Sequence, residues 1–228
     1  MLIKKKIHCV LALLFLSNLV VAQKTKISSG KAFYEISYLN LTPEIAKMGS
    51  TLPSNATVYF RSGKSRVEIP IADGKMIIIS DPESKSFLLC MNRMGEKIAM
   101  QKSEQEIQKM QNEIYPQNKI PKISITYSSD TKIIAGFQCK KATINTIING
   151  DTLANICWYC EDLPKIKSGN ESDKLFEEIN GFLMEYTADQ NGTKIKMSVR
   201  KIVVEDVPET LFKLPSGYKL ITEPDFTK

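Results

Sequence analysis

The chain has 228 residues, 31 of them basic and 25 acidic, with 43% apolar side chains and one histidine, His8. A leader that removes Lys4, Lys5 and Lys6 leaves a charge of about +3, which marks no charged partner, and no basic stripe interleaved with aromatics suggests nucleic acid. If His8 leaves too, no Ser-His-Asp triad, Cys-His nucleophile or His-ligated zinc can be built. The expectation is a non-enzymatic protein without cofactor or metal.

Lys4–Lys6, the apolar run Val10–Leu16 and the small residues before Gln23 have the pattern of a signal peptide over residues 1–22. The apolar run is too short for a spanning helix, which needs ~20 residues. Cys9 precedes the apolar core instead of following it, so no lipid-attachment site is present. Residues 23–228 then form one domain, periplasmic or secreted and not transmembrane after cleavage.

Lys31–Leu39 alternates as a first strand. Thr42-Pro43-Glu44 supplies a cap, a proline at the first helical position and a first-turn acid, predicting a helix to about Met48. Asn55–Phe60 and Ser65–Ile71 form a hairpin, and burial of Val58 and Phe60 with Val67 and Ile69 requires an odd pairing sum. Lys75–Ser80, Ser86–Met91 and Lys97–Gln101 are further strands, the first of them continuously apolar. Ser103 and Glu106 form a capping box that starts a helix to about Glu113, with Ile107, Met110 and Ile114 on one stripe. Ile123–Tyr127 is a strand and Ser128-Ser129-Asp130 a turn.

Two hairpins follow, each centred on an Asn-Gly pair. The first joins Ile134–Ile144 to Leu153–Glu161 with a pairing sum of 299 set by Asn149-Gly150, so that Lys141 faces Trp158, Ala142 faces Cys157 and Cys139 faces Cys160. Between the hairpins a short helix is predicted around Asp173–Glu178. The second hairpin has a sum of 383 set by Asn191-Gly192, pairing Ala188 with Ile195, Tyr186 with Met197 and Met184 with Val199. Asp206-Val207-Pro208 ends the last long strand, and Phe212–Tyr218 packs as a tail. The predicted fold class is mainly β: a strongly curled antiparallel sheet, or half-open β-barrel, of about eleven strands with two or three short helices as a lid.

Cys157-Trp158-Tyr159-Cys160 has redox spacing, but it lies in a strand and precedes Glu161-Asp162, whereas a reactive thiol needs an electropositive helix terminus. The register instead offers a Cys139–Cys160 cross-strand disulfide, within the reach of opposed strand residues. In the other reading all four cysteines, Cys90, Cys139, Cys157 and Cys160, are small buried hydrophobes. Phe137, Ile156, Trp158, Met184, Tyr186 and Met197 are candidates to line an apolar ligand cavity, although a lone tryptophan on an apolar strand face is commonly core.

Four segments carry a resemblance: Gly136-Phe137-Gln138-Cys139-Lys140-Lys141-Ala142, Ile156-Cys157-Trp158-Tyr159, Gly181-Phe182-Leu183-Met184-Glu185 and Phe212-Lys213-Leu214-Pro215-Ser216-Gly217-Tyr218. Together they resemble an exported Gram-negative family similar to the LolA/LolB-like periplasmic lipoprotein carriers and the GLPGLI proteins. The chain departs from LolB-type members in lacking the lipid-attachment cysteine, and Asn180-Gly181-Phe182-Leu183 stands where GLPGLI proteins have their diagnostic segment. The resemblance implies a half-open antiparallel barrel lidded by short helices over an apolar interior, with a lipid or acylated protein as partner. The alternative is an envelope structural or protein-interaction module without a small-molecule ligand.

Overall fold

The computed structural model describes residues 26–93, 95–107, 109, 122–148, 151–167, 175–176, 178–190 and 192–221. Twelve strands follow in chain order: β1 (Ser29–Asn40), β2 (Asn55–Arg61), β3 (Lys64–Ile71), β4 (Gly74–Asp81), β5 (Ser86–Arg93), β6 (Glu96–Ser103), β7 (Lys122–Ile134), β8 (Phe137–Ile148), β9 (Asp151–Cys160), β10 (Phe182–Gln190), β11 (Thr193–Val203) and β12 (Lys219–Ile221). They form one sheet in the order β12-β6-β5-β4-β3-β2-β1-β11-β10-β9-β8-β7, with β7 and β12 as its two edges among the described residues. Every pairing is antiparallel except the short β12, which runs parallel to β6.

This is the half-open, strongly curled sheet expected from the strand count. Phe60 on β2 and Phe182 on β10 are three strand positions apart, which is ~14 Å across a flat sheet. Their ring centroids are 5.2 Å apart, so the sheet bends until they meet. The Tyr34 hydroxyl on β1 reaches across β11 to donate to the Leu183 carbonyl at 2.5 Å. The core closed by this curl holds Ala32, Tyr34, Val58, Phe60, Leu163, Phe182, Met184 and Val199. Gly181 lets the entry to β10 lie against β9, because a Cβ there would come within 2.6 Å of the Cys160 carbonyl oxygen.

The registers agree with the arithmetic of the sequence. Val58 pairs with Val67 across Ser62-Gly63, whose φ values of 48° and 88° make the turn that suits a two-residue hairpin. Lys141 pairs with Trp158 and Ala142 with Cys157, while Tyr186 pairs with Met197 and Ala188 with Ile195. Asn149, Gly150 and Asn191 themselves lie outside the described residues. The Thr42 hydroxyl accepts from the Ile45 amide and caps the helix α1 (Pro43–Ala46), which gives way to a 3-10 turn over Gly49–Thr51. The capping box is also formed: Ser103 N and Oγ lie 2.7 and 2.8 Å from a Glu106 carboxylate oxygen, and the Glu106 amide donates back to Ser103 Oγ. Residues 104–107 and 109 are helical, and the remainder of that predicted helix lies outside the described residues.

Four expectations are corrected. Ser128-Ser129-Asp130 is a register shift inside one long strand, β7, because the bulge absorbs the extra residues without reversing the chain. Ile134 ends β7, and the reversal is Ala135-Gly136, with φ of 50° and 86°. Leu175, Phe176 and Glu178 form turns and not helix, while 173, 174 and 177 lie outside the described residues. Finally, β12 adds a three-residue strand, too short for alternation to announce it.

Candidate functional site

The curl brings five of the six residues nominated from sequence to one core: Met184 lies in it, and Phe137, Trp158, Tyr186 and Met197 pack against it. Trp158 shares a pairing row with Lys141 and Glu185, whereas its neighbour Cys157 shares one with Ala142 and Tyr186, so by strand alternation the two point to opposite faces. Phe137 and Ile156 follow Trp158, and Tyr186 and Met197 follow Cys157. Met184 is the extra residue of a bulge between Leu183 and Glu185 and is fully buried in the core. Ile156 is 48% exposed. The Trp158 ring carries the Lys132 ammonium 4.4 Å from its centroid, and that ammonium also pairs with Glu185 at 2.7 Å. Burial raises the Glu185 carboxyl, but Lys132 and Lys196 outweigh it and hold the group below the ordinary carboxylate value. Ile156 is the one nominated residue outside the core cluster that holds Met184 and against which the other four pack.

The β8–β9 ladder ends at Lys140–Tyr159, one step short of Cys139 and Cys160, and both cysteines are fully buried in the same core cluster. No disulfide joins cysteines among the described residues, and Cys139 Sγ donates to the Phe137 carbonyl oxygen at 3.3 Å. Burial pushes the Cys90, Cys139 and Cys157 thiols up to about 11, the opposite of what redox chemistry needs.

A second feature, an apolar face left half-buried, lies on β3–β6. The central two, β4 and β5, are apolar on both faces. On the outer face Ile77, Ile79, Cys90 and Ala99 are buried beneath Val207 and Phe212, with Leu211 and Tyr218 packed alongside. That C-terminal segment is pinned by cations from β2 and β3. Arg66 donates to the Leu211 carbonyl at 3.1 Å, Arg61 to the Val207 carbonyl at 2.7 Å, and Lys64 pairs with Glu209 at 2.5 Å. Arg66 is itself paired with Glu68, whose carboxyl burial would raise but Lys75 and Arg66 hold low.

The inner face has no such cover from the strap. Register places Ile69, Met76, Met91 and Ile98 in one row across the four strands. Val67, Ile78, Leu89 and Met100 form the next row, with Ile221 of β12 beyond it. All but Val67 are half-buried, and Ile69 and Ile78 pack against the closed core, so apolar surface runs without a break from that core to the open side of the sheet. A third row, Ser65, Ser80, Phe87 and Lys102, turns polar. Near this end the loop after β9 is tied down, since Ser65 Oγ donates to the Lys167 carbonyl and the Lys167 ammonium pairs with Glu104 at 2.8 Å.

Sequence reading missed this face although a signal was there. Met76-Ile77-Ile78-Ile79, Phe87-Leu88-Leu89-Cys90-Met91 and Ile98-Ala99-Met100 do not alternate, and non-alternating strands need partners on both faces. The tail accounts for one face only. Half-exposed methionines are suited to the other, because an unbranched thioether adapts to irregular apolar surfaces.

The family model described as "N-glycanase peptide, N-terminal domain" matches residues 70–218, well over half of the chain and all of this face from β4 to β6. No curated protein matches the sequence. Among solved structures, LprF from Mycobacterium bovis is similar at 10% identity and a TM-score of 0.32, over 80% of this chain and 90% of that one. A β-barrel-like protein of a domain of unknown function from Brucella abortus is similar at 6% identity and 0.34, over 80% of this chain and 100% of that one. Likenesses this loose carry no functional weight. Of what the motif resemblance to lipoprotein carriers implied, the structure shows the half-open sheet.

Proposed function

The chain belongs to the N-glycanase peptide N-terminal domain family, and from that premise we propose that it is a non-enzymatic binding protein that holds an apolar or acyl moiety against the inner face of β3–β6. One observation carries the reading: seven half-buried apolar side chains, three of them methionine, form a continuous face across β3–β6, while the chain itself buries Ile77, Ile79, Cys90 and Ala99 on the opposite face. A two-faced apolar strand stabilises the fold only where both faces leave water, and the stabilisation is ~25 cal/mol per Å² of apolar surface covered. Affinity would come from that area, which adjoins the closed core at Ile69 and Ile78. The export expected from residues 1–22 would place this activity in the periplasm or outside the cell, with a lipid or acylated protein as the cargo.

The family description concerns a domain that stands N-terminal in an N-glycanase. We carry over the domain and leave the glycanase activity behind, so this chain is proposed to release no N-glycan by itself. Native mass spectrometry of the chain purified from its own host tests the binding reading. The expected result is a fraction of protein carrying a lipid-sized adduct, which is lost in Met91→Glu. Bare protein from a host that makes such lipids would count against it.

A protein-interaction role is favoured by a different observation. The edge strand β7 is thirteen residues long, with Ile123, Tyr127 and Ile133 exposed along it. Long exposed edges are sites of strand addition. The bulge between Tyr127 and Thr131 interrupts that edge, which makes this the second reading.

A further inference from the structure

The binding reading leaves the chemistry of the ligand open, and the inner face narrows it. Its rows are graded along the strands. From Ile69–Met76–Met91–Ile98 the face passes to Val67–Ile78–Leu89–Met100 and then to Ser65–Ser80–Phe87–Lys102. Rows two residues apart are ~7 Å apart, so the apolar surface extends ~14 Å before it meets hydroxyls and one ammonium. That ammonium, Lys102, is half-buried beside Phe87. Among the described residues it has no carboxylate within ion-pair distance, although most half-buried lysines on this protein do: Lys64, Lys132, Lys141 and Lys196 are all paired. The carboxylate whose charge it does feel, Glu106, is engaged by the Ser103 amide and hydroxyl. The neighbouring Lys167 is paired with Glu104. A half-buried cation at the polar end of an apolar face is complementary to a negative group at the end of an apolar chain.

We infer, resting on the binding reading above, that the ligand is a single-chain amphiphile with an anionic head, its chain on the Ile/Met rows and its head at Lys102. A charge-assisted hydrogen bond to a carboxylate is stronger than a neutral one, and the discrimination expected over a neutral head is about tenfold in affinity.

The test is calorimetric titration of the full chain with decanoate and with 1-decanol, which share a chain length and differ in the head. Wild type should bind decanoate about tenfold more tightly than decanol, and Lys102→Met should bring the two together by weakening decanoate alone. Thermal melting checks that the variants remain folded, and Lys102→Arg, which keeps the charge, should retain the preference. Equal affinity for both ligands in wild type, or a preference unchanged in Lys102→Met, would overturn the anionic head while leaving the apolar face in place. If neither ligand binds, or if Met91→Glu changes nothing, the binding reading itself fails and this inference falls with it.

Discussion

Phe182 is the residue that holds the sheet curled, and Phe182→Ala is the perturbation that tests this. Its side chain is fully buried, with ring centroids 5.2 Å from Phe60 and 6.3 Å from Tyr34. These partners lie on β2 and β1, on the far side of β11, so the contact exists only because the sheet bends. Truncating a buried phenylalanine costs ~3–5 kcal/mol through lost transfer and the cavity left behind. The two ring pairs add ~0.5–1.5 kcal/mol each, part of which overlaps that sum. A loss of about 4 kcal/mol corresponds to a fall of roughly 8–16 °C in Tm for a domain of this size. Urea unfolding followed by tryptophan fluorescence reads the loss directly, with Trp158 as the single reporter. Ile156→Ala, at a site 48% exposed, is the control and should cost well under half as much. If Phe182→Ala loses under about 1 kcal/mol, the two halves of the sheet are not fastened to one another through this ring, and the curl has another origin.

Other outcomes follow from the same contacts. Phe212→Ala should lower stability by ~3 kcal/mol, read by the same unfolding curve, because it uncovers Ile77, Ile79 and Ala99 on the outer face. Cys90, Cys139 and Cys157, with thiols pushed to about 11, should resist iodoacetamide at pH 8 in the folded protein and react only after denaturation; a mass count that falls short of all the cysteines after denaturation without reductant would instead reveal a disulfide. Glu68 and Glu185 are held below their ordinary value of 4.5, so their ion pairs stabilise the fold above that pH. That contribution should be lost as pH falls through the lowered folded-state values, and Glu185→Gln should flatten the acid limb of a Tm-against-pH profile. Incubation of the chain with a denatured N-glycoprotein should leave its glycans attached, as judged by gel mobility; released glycan would overturn the non-enzymatic reading.

Much of the fold was legible because its signals are local. Two Asn-Gly turns set their registers to the residue, burial limited a third hairpin to an odd pairing sum, and alternation carries those registers along the strands, as in Tyr186–Met197 and Lys141–Trp158. The same locality explains the errors. A bulge and a turn share a vocabulary of serine and aspartate, so Ser128–Asp130 read as a reversal, and the true reversal at Ala135-Gly136 carried only its glycine as a sign. The site was less legible. Phe137, Trp158, Tyr186 and Met197 do pack against the closed core around Met184, but the half-buried face beside it is built from other strands. Met76, Met91 and Met100 lay in runs that looked like plain core. Only the position of residues 207–218, which cover one face and not the other, separates them from the core, and no local rule supplies that position.

The most direct measurement is methyl NMR of the chain labelled at methionine, titrated with decanoate. If the inner face of β3–β6 holds the chain of the ligand, the Met76, Met91 and Met100 methyl resonances should shift together with a single affinity, while that of the fully buried Met184 stays in place. A titration that moves Met184 or Met197 and leaves those three unchanged, or that moves none of them, would contradict it.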